Sequence, residues 1–270
     1  MTNQALVTKN EPKQLKDYLD MPTIRKRFED ALGGSGAVSF ITGILNAAIM
    51  NPKIQECDPI TVINAGLQAA ALNLSLSPSL GQSAIVPYGK KATMVVMRKG
   101  LVQLALETDK YRYIHVSKIY EGENWLEDRL TGRLTLTGER TGNAIIGYVA
   151  YFQLLSGFEK YLAMTKDEIL EHARKYSRSF DRKSNNFYPG SGWADNFEKM
   201  CEKTPLRLLL LNYGPMNKKL QTVLENENET GEIEPVDAEF IEQAVQEEVE
   251  QSVQAPRTVT QNMLDLYGEA

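Results

Sequence analysis

Roughly the first 75 residues carry apolar side chains at helical intervals. Leu15, Tyr18 and Leu19 form one short stripe, and Ile24, Phe28 and Leu32 a second at i, i+4, i+8. Gly33-Gly34-Ser35-Gly36 then breaks the pattern. Val38, Ile41, Leu45, Ala48 and Ile49 mark a third helix that stops near Asn51-Pro52. A fourth starts near Asp58-Pro59, with Asp58 as N-cap and proline in the first helical position, and turns Ile60, Ile63, Leu67, Ala70 and Ala71 inward.

The period then changes. Ala84 to Tyr88 and Ala92 to Met97 are β-prone runs around Gly89-Lys90-Lys91, which predicts a hairpin with a basic tip. A short helix over Lys99 to Glu107 buries Leu101, Leu104 and Ala105. Tyr111 to Tyr120 and stretches of Leu130 to Thr137 alternate like strands. Ile145 to Leu155 and Phe158 to Met164 flank Ser156-Gly157, a second hairpin. Helix returns at Thr165, where Glu168 completes a capping-box spacing and Ile169, Leu170 and Ala173 supply the buried side. Ser177 to Ser191 reads as a polar loop. Trp193 to Tyr213 reads as one long helix, or two meeting at Pro205, a residue that must kink or restart it.

The expectation is an α+β protein: a helical N-terminal part, a central antiparallel sheet with hairpins, a long C-terminal core helix and an acidic flexible tail. Residues 1–224 form the core. Residues 225–270 form a largely disordered tail with two short amphipathic patterns, one at Ile241, Val245, Val249 and Val253 and one at Val259, Met263, Leu266 and Tyr267.

Charge alters the picture. The net charge of −5 argues against a polyanionic partner, but it is unevenly distributed. Residues 225–270 hold thirteen acidic side chains and one basic, a balance of −12. The other 29 basic and 22 acidic residues leave residues 1–224 at +7. A basic body with an acidic tail fits nucleic-acid binding, or merely a solubilising appendage.

Several classes recede. The densest apolar run, Leu206 to Leu211, is far short of the roughly 18–20 residues that span a bilayer, and Met1 to Lys13 lack the pattern of a secretory signal, so a soluble, unsecreted protein is expected. Cys57 and Cys201 give no disulfide framework, and with His115 and His172 they lack the close pairing of zinc ligands. Neither Gly33-Gly34-Ser35-Gly36 nor Gly89-Lys90-Lys91 has the spacing of a phosphate-cradling P-loop. No hydrolase or zinc-protease motif occurs, and no acidic cluster suggests a two-metal nuclease.

Cations carry the remaining chemistry. Lys199, Lys203 and Arg207 sit at i, i+4, i+8, on one face if the helix continues, and Arg174 and Arg178 share that spacing one helix earlier. Most such stripes are solvated helix faces, and Glu198 and Glu202 run beside this one. Aromatics interleave with the cations: Tyr111 and Tyr113 around Arg112, Tyr176 and Phe180 around Arg178, and Trp193 before Lys199. Trp193 is assigned to the core because it begins an apolar helix; Tyr176 and Phe180 remain open.

The run Asn73-Leu-Ser-Leu-Ser-Pro-Ser-Leu-Gly-Gln-Ser-Ala-Ile-Val-Pro-Tyr-Gly89, followed by Met97-Arg98-Lys99-Gly100-Leu101, resembles the RecT family of phage recombinases, relatives of the Redβ group. So does the later set Met164, Glu168-Ile169, Arg174, Ser177, Trp193, Met200, Lys203-Thr204 and Arg207, in an overall resemblance spanning roughly residues 15–220 that departs at Pro205. The resemblance implies a protein that binds single-stranded DNA without ATP or another cofactor, magnesium being at most a modulator. It implies assembly into rings or helical filaments and annealing of complementary strands in phage recombination. It further implies a 5′→3′ exonuclease partner, contact with the host single-stranded-DNA-binding protein through the C-terminal tail, and residence in the bacterial cytoplasm, encoded by a phage or prophage.

Joined with the charge pattern, this makes Lys90, Lys91, Arg98, Lys99, Arg112, Arg174, Arg178, Lys199, Lys203 and Arg207 the candidate DNA contacts, with no catalytic or metal-binding residue. A coating protein that shields strands from pairing would need the same groove, and that alternative stays open.

Overall fold

The computed structural model describes residues 14–229. Five helices come first: α1 (Leu15–Leu19), α2 (Pro22–Leu32), α3 (Gly34–Met50), α4 (Pro52–Gln55) and α5 (Pro59–Ala71). The α2–α3 break needs only Gly33, whose φ of 76° suits glycine, and the two helices meet at 117°. Asp58 caps α5 by accepting from the Ile60 amide at 3.0 Å. Every residue of α5 from Val62 to Ala70 is buried, making it the axis of the N-terminal half.

Helix α3 buries Ala37, Ile41, Ile44 and Ala48, while Val38 and Ile49 are 60% and 70% exposed. The face expected from Val38, Leu45 and Ile49 is therefore rotated by about one residue. The helix is apolar on nearly all sides, so hydropathy alone did not select the face. Ala71, expected to point inward on α5, is exposed.

The strands β1 (Ser83–Tyr88) and β2 (Lys91–Val96) form an antiparallel hairpin, followed by α6 (Arg98–Leu106). Tyr88 pairs with Lys91, so the turn is Gly89-Lys90 alone and Lys91 is the first residue of β2. Gly89 has φ of 63° at the first turn position, the signature of a type II′ turn. Gly100 lets α6 lie against the chain entering β1, because a Cβ there would collide with the Gln82 carbonyl oxygen.

The central sheet has the order β3–β6–β7, built from β3 (Tyr111–Tyr120), β6 (Ile145–Leu154) and β7 (Glu159–Thr165), all antiparallel. Between β3 and β6 lies a ribbon of β4 (Glu123–Glu127) and β5 (Leu134–Gly138). Of the span Leu130 to Thr137, the part from Leu134 is strand as expected, and Leu130 to Arg133 belong to the connection between β4 and β5. The capping box at Thr165 and Glu168 opens α7 (Lys166–Tyr176) with both reciprocal hydrogen bonds.

The polar loop after α7 contains a two-residue hairpin, β8 (Phe180–Asp181) with β9 (Asn186–Phe187), and leads into α8 (Gly192–Asp195). Phe187 stacks on Trp193 at 5.4 Å, and Trp193 is 6% exposed, in the core as expected. Helix α9 (Phe197–Tyr213) then continues through Pro205. Of the two readings of Pro205 the single continuous helix holds; the interruption falls at Asn196, between α8 and α9. Proline costs a helix about 3 kcal/mol. Here it is buried beside Leu206, Leu209 and Leu210, so packing of the helix outweighs the lost hydrogen bond.

A last helix, α10 (Lys218–Glu229), which the hydropathy pattern does not predict, packs Leu220, Val223 and Leu224 into the core. Residue 224 thus lies inside a helix, whereas both amphipathic patterns of the tail lie outside the described residues.

Two buried clusters result. The larger joins α1–α6, the first hairpin, one face of the sheet and the second half of α9. The smaller collects Tyr148, Ile169, Ala173, Trp193 and Cys201. Helix α9 belongs to both, through Cys201 in the smaller and Leu206, Leu209 and Leu210 in the larger.

Candidate nucleic-acid interface

The first hairpin has two unlike faces. Ala92, Met94 and Val96 point into the large cluster. Strand alternation therefore sends Lys91 and Thr93 to the other side, where their partners across the ladder are Tyr88 and Val86. All four line a cleft of about 1080 Å³. Its remaining walls come from Asn51, Lys53 and Glu56 around α4, and from Arg178, Ser179, Tyr188 to Ser191 and Asp195 in the segment from α7 to α8.

Both walls are held in place. The Asp58 amide donates to the Lys90 carbonyl at 2.8 Å and the Cys57 thiol to the Gly89 carbonyl at 3.8 Å, so the turn rests on the start of α5. The Ala92 amide donates to Thr61 Oγ1 at 2.9 Å. On the opposite wall the Tyr188 amide donates to the Ser179 carbonyl at 2.8 Å, and the Ser177 and Ser179 hydroxyls pair at 2.8 Å. Such fixed walls lower the entropy lost when a ligand binds.

The cleft brings together Lys91 and Arg178 of the candidate residues and adds Lys53, which the sequence pattern does not single out. Lys90 is exposed on the adjoining turn. Lys99, Arg112, Arg174 and Lys199 are exposed on other elements. Arg98 pairs with Glu202 at 3.2 Å and Lys118 with Glu198 at 2.6 Å. The two carboxylates that run beside the stripe on α9, Glu198 and Glu202, are thus engaged by β3 and α6 respectively. The Lys118 hydrogen bond holds the Glu198 carboxyl below its ordinary range and lifts the lysine above its own.

The Lys199–Lys203–Arg207 stripe is not an open face. Lys199 is exposed, but Lys203 is 6% and Arg207 9% exposed. The Arg207 guanidinium donates to the Leu224 carbonyl at 3.2 Å and so ties α9 to α10. Burial, followed by the charges of Arg207 and Lys175, lowers the His172 imidazole from its ordinary value. Tyr176 is 61% exposed and packs at a tilt against His172, whereas Phe180 packs on Phe187.

Both cysteines are free and buried, and burial raises each thiol, Cys201 to about 11. Among the described residues no three His, Cys, Asp or Glu side chains converge as a metal site, and no single helix is long and apolar enough to cross a membrane.

A cleft in which Lys53, Lys91 and Arg178 on three walls outnumber the Glu56 and Asp195 carboxylates is suited to holding a polyanion. Two relatives are similar over most of their length. "Uncharacterized protein YqaK" of Bacillus subtilis (strain 168) is 36% identical over 243 residues, which cover 86% of this chain and 82% of that protein. "Protein RecT" of Escherichia coli (strain K12) is 22% identical over 239 residues, 83% of this chain and 84% of that protein. The sequence model of the RecT family matches residues 39–239, from within α3 past the end of α10. The chain belongs to the RecT family.

Proposed function

We propose that this protein is a single-strand annealing recombinase: it binds single-stranded DNA without nucleotide hydrolysis, oligomerises along it and pairs it with a complementary strand. The observation that carries the reading is the cleft joining Lys53, Lys91 and Arg178 in a member of the RecT family. Cations hold the phosphodiester backbone and position it without reading sequence, which is left to base pairing. Lys90, Lys99, Arg112, Arg174 and Lys199 extend the positive surface, and Arg98 contributes from its pair with Glu202. Lys203 and Arg207, being buried, act as internal supports of α9 rather than as phosphate contacts.

The wider programme follows from the family: rings or filaments, a 5′→3′ exonuclease that supplies single strands, and a host single-stranded-DNA-binding protein engaged through residues 225–270. Cytoplasmic residence and independence of ATP and metal belong to the same proposal. The test mixes the protein with complementary oligonucleotides, one labelled with a fluorophore and one with a quencher, without ATP. Accelerated quenching supports annealing. Binding with retarded pairing identifies a coating protein instead.

A further inference from the structure

Charge accounts for the cations of the cleft but not for its floor. Thr93 is 6% exposed and lines the cavity, and its Oγ1 has no hydrogen-bond partner among the described residues. A desolvated, unpaired hydroxyl is destabilising, and valine, of nearly the same shape, would avoid the penalty. Phosphates reached by long cationic side chains do not need it. The surroundings are not those of a backbone track either: Val86, Pro87, Tyr88, Tyr188 and Pro189 contribute aromatic and apolar surface to the same space. The volume of about 1080 Å³ lies just above the range for small-molecule sites, about 300–1,000 Å³.

We infer that the cleft takes one nucleotide of the single strand with its base turned inward, stacked on a tyrosine and hydrogen-bonded at its edge to Thr93 Oγ1, while Lys53, Lys91 and Arg178 hold the flanking phosphates. This rests on the reading of the chain as a single-strand binder. A threonine hydroxyl both donates and accepts, and an aromatic face stacks on any base, so the site holds a nucleotide without selecting its identity. Tyr188, 50% exposed, is the wall residue open enough to meet an incoming ring. A base lodged there is withdrawn from Watson–Crick pairing. The cleft therefore prefers an unpaired strand, and it gives up the base as the complement pairs with it.

The experiment compares full-length wild-type protein with Thr93→Val and Tyr188→Leu. Fluorescence anisotropy is read on a labelled mixed-sequence single strand, on a strand of equal length with consecutive abasic sites, and on the duplex. The expected result is that T93V weakens binding to the intact strand about fivefold and Y188L about tenfold. Both variants bind the abasic strand and the duplex as the wild type does, and T93V melts no lower than the wild type. Unchanged affinity of both variants for the intact strand, or an equal loss on intact and abasic strands, would overturn the inference while leaving single-strand binding in place. Failure of the wild type to bind any oligonucleotide at low salt would instead remove the proposed function, and this inference with it.

Discussion

Replacing Lys53, Lys91 and Arg178 together by glutamine removes three positive charges from one cleft while keeping side chains of comparable length. If each neutralises one phosphate, binding releases about 0.7 counterion per contact on single strands. The slope of log K against log salt should then flatten by about 2. Between roughly 50 and 200 mM salt the wild type should lose about twentyfold more affinity than the variant. Anisotropy titrations at five or six salt concentrations give the slope, and circular dichroism confirms that the variant is folded. The same titration on Lys203→Met supplies the contrast, because a lysine 6% exposed should leave the slope where it was. An unchanged slope for the triple variant, or a flattened one for K203M, would refute the assignment of the cleft as the phosphate track.

Three further outcomes follow from the fold. Gly100→Ala should destabilise by roughly 1–3 kcal/mol through overpacking, against the gain of about 1 kcal/mol that helix propensity alone would give, because the new Cβ meets the Gln82 carbonyl; a raised midpoint in thermal unfolding would refute that contact. Arg207→Met should cost about 1–3 kcal/mol in urea unfolding, since it leaves the Leu224 carbonyl without its guanidinium donor. His172 titrates below its ordinary value of 6.5 in the folded chain, so the unfolded chain binds more protons just beneath that pH. Stability should therefore fall as pH drops through and below 6.5, and His172→Gln should flatten that part of the curve; a proton-NMR titration placing the imidazole above 6.5 would reverse the sign.

Much of the fold is legible in the sequence because local rules and tertiary packing agree there. Asp58 before Pro59 caps α5, Thr165 with Glu168 caps α7, and Ser156-Gly157 joins β6 to β7. Legibility fails where one pattern is compatible with two environments. Helix α3 is apolar nearly all round, so its buried face was decided by its neighbours, among them Gly66, where a Cβ would collide with Ile44. The polar, five-residue β4 exists as the partner of β5 and shows little alternation of its own. In the candidate site, a cationic stripe reads the same whether it faces water or lies beneath a neighbouring helix, and α10 is what covers Arg207. Lys53 and Thr93 escaped notice because a cleft is formed by elements distant in sequence, although alternation along β2 already places Lys91 and Thr93 side by side.

Because α9 contributes Cys201 to one hydrophobic cluster and Leu206, Leu209 and Leu210 to the other, neither half of the molecule has a separable interior. Fraying of that helix would expose both at once, so amide exchange should protect its middle turns to the level of global unfolding. A fragment ended at Asp195 would lose the wedge shared by both halves, and dissection into stable lobes is not open to this architecture.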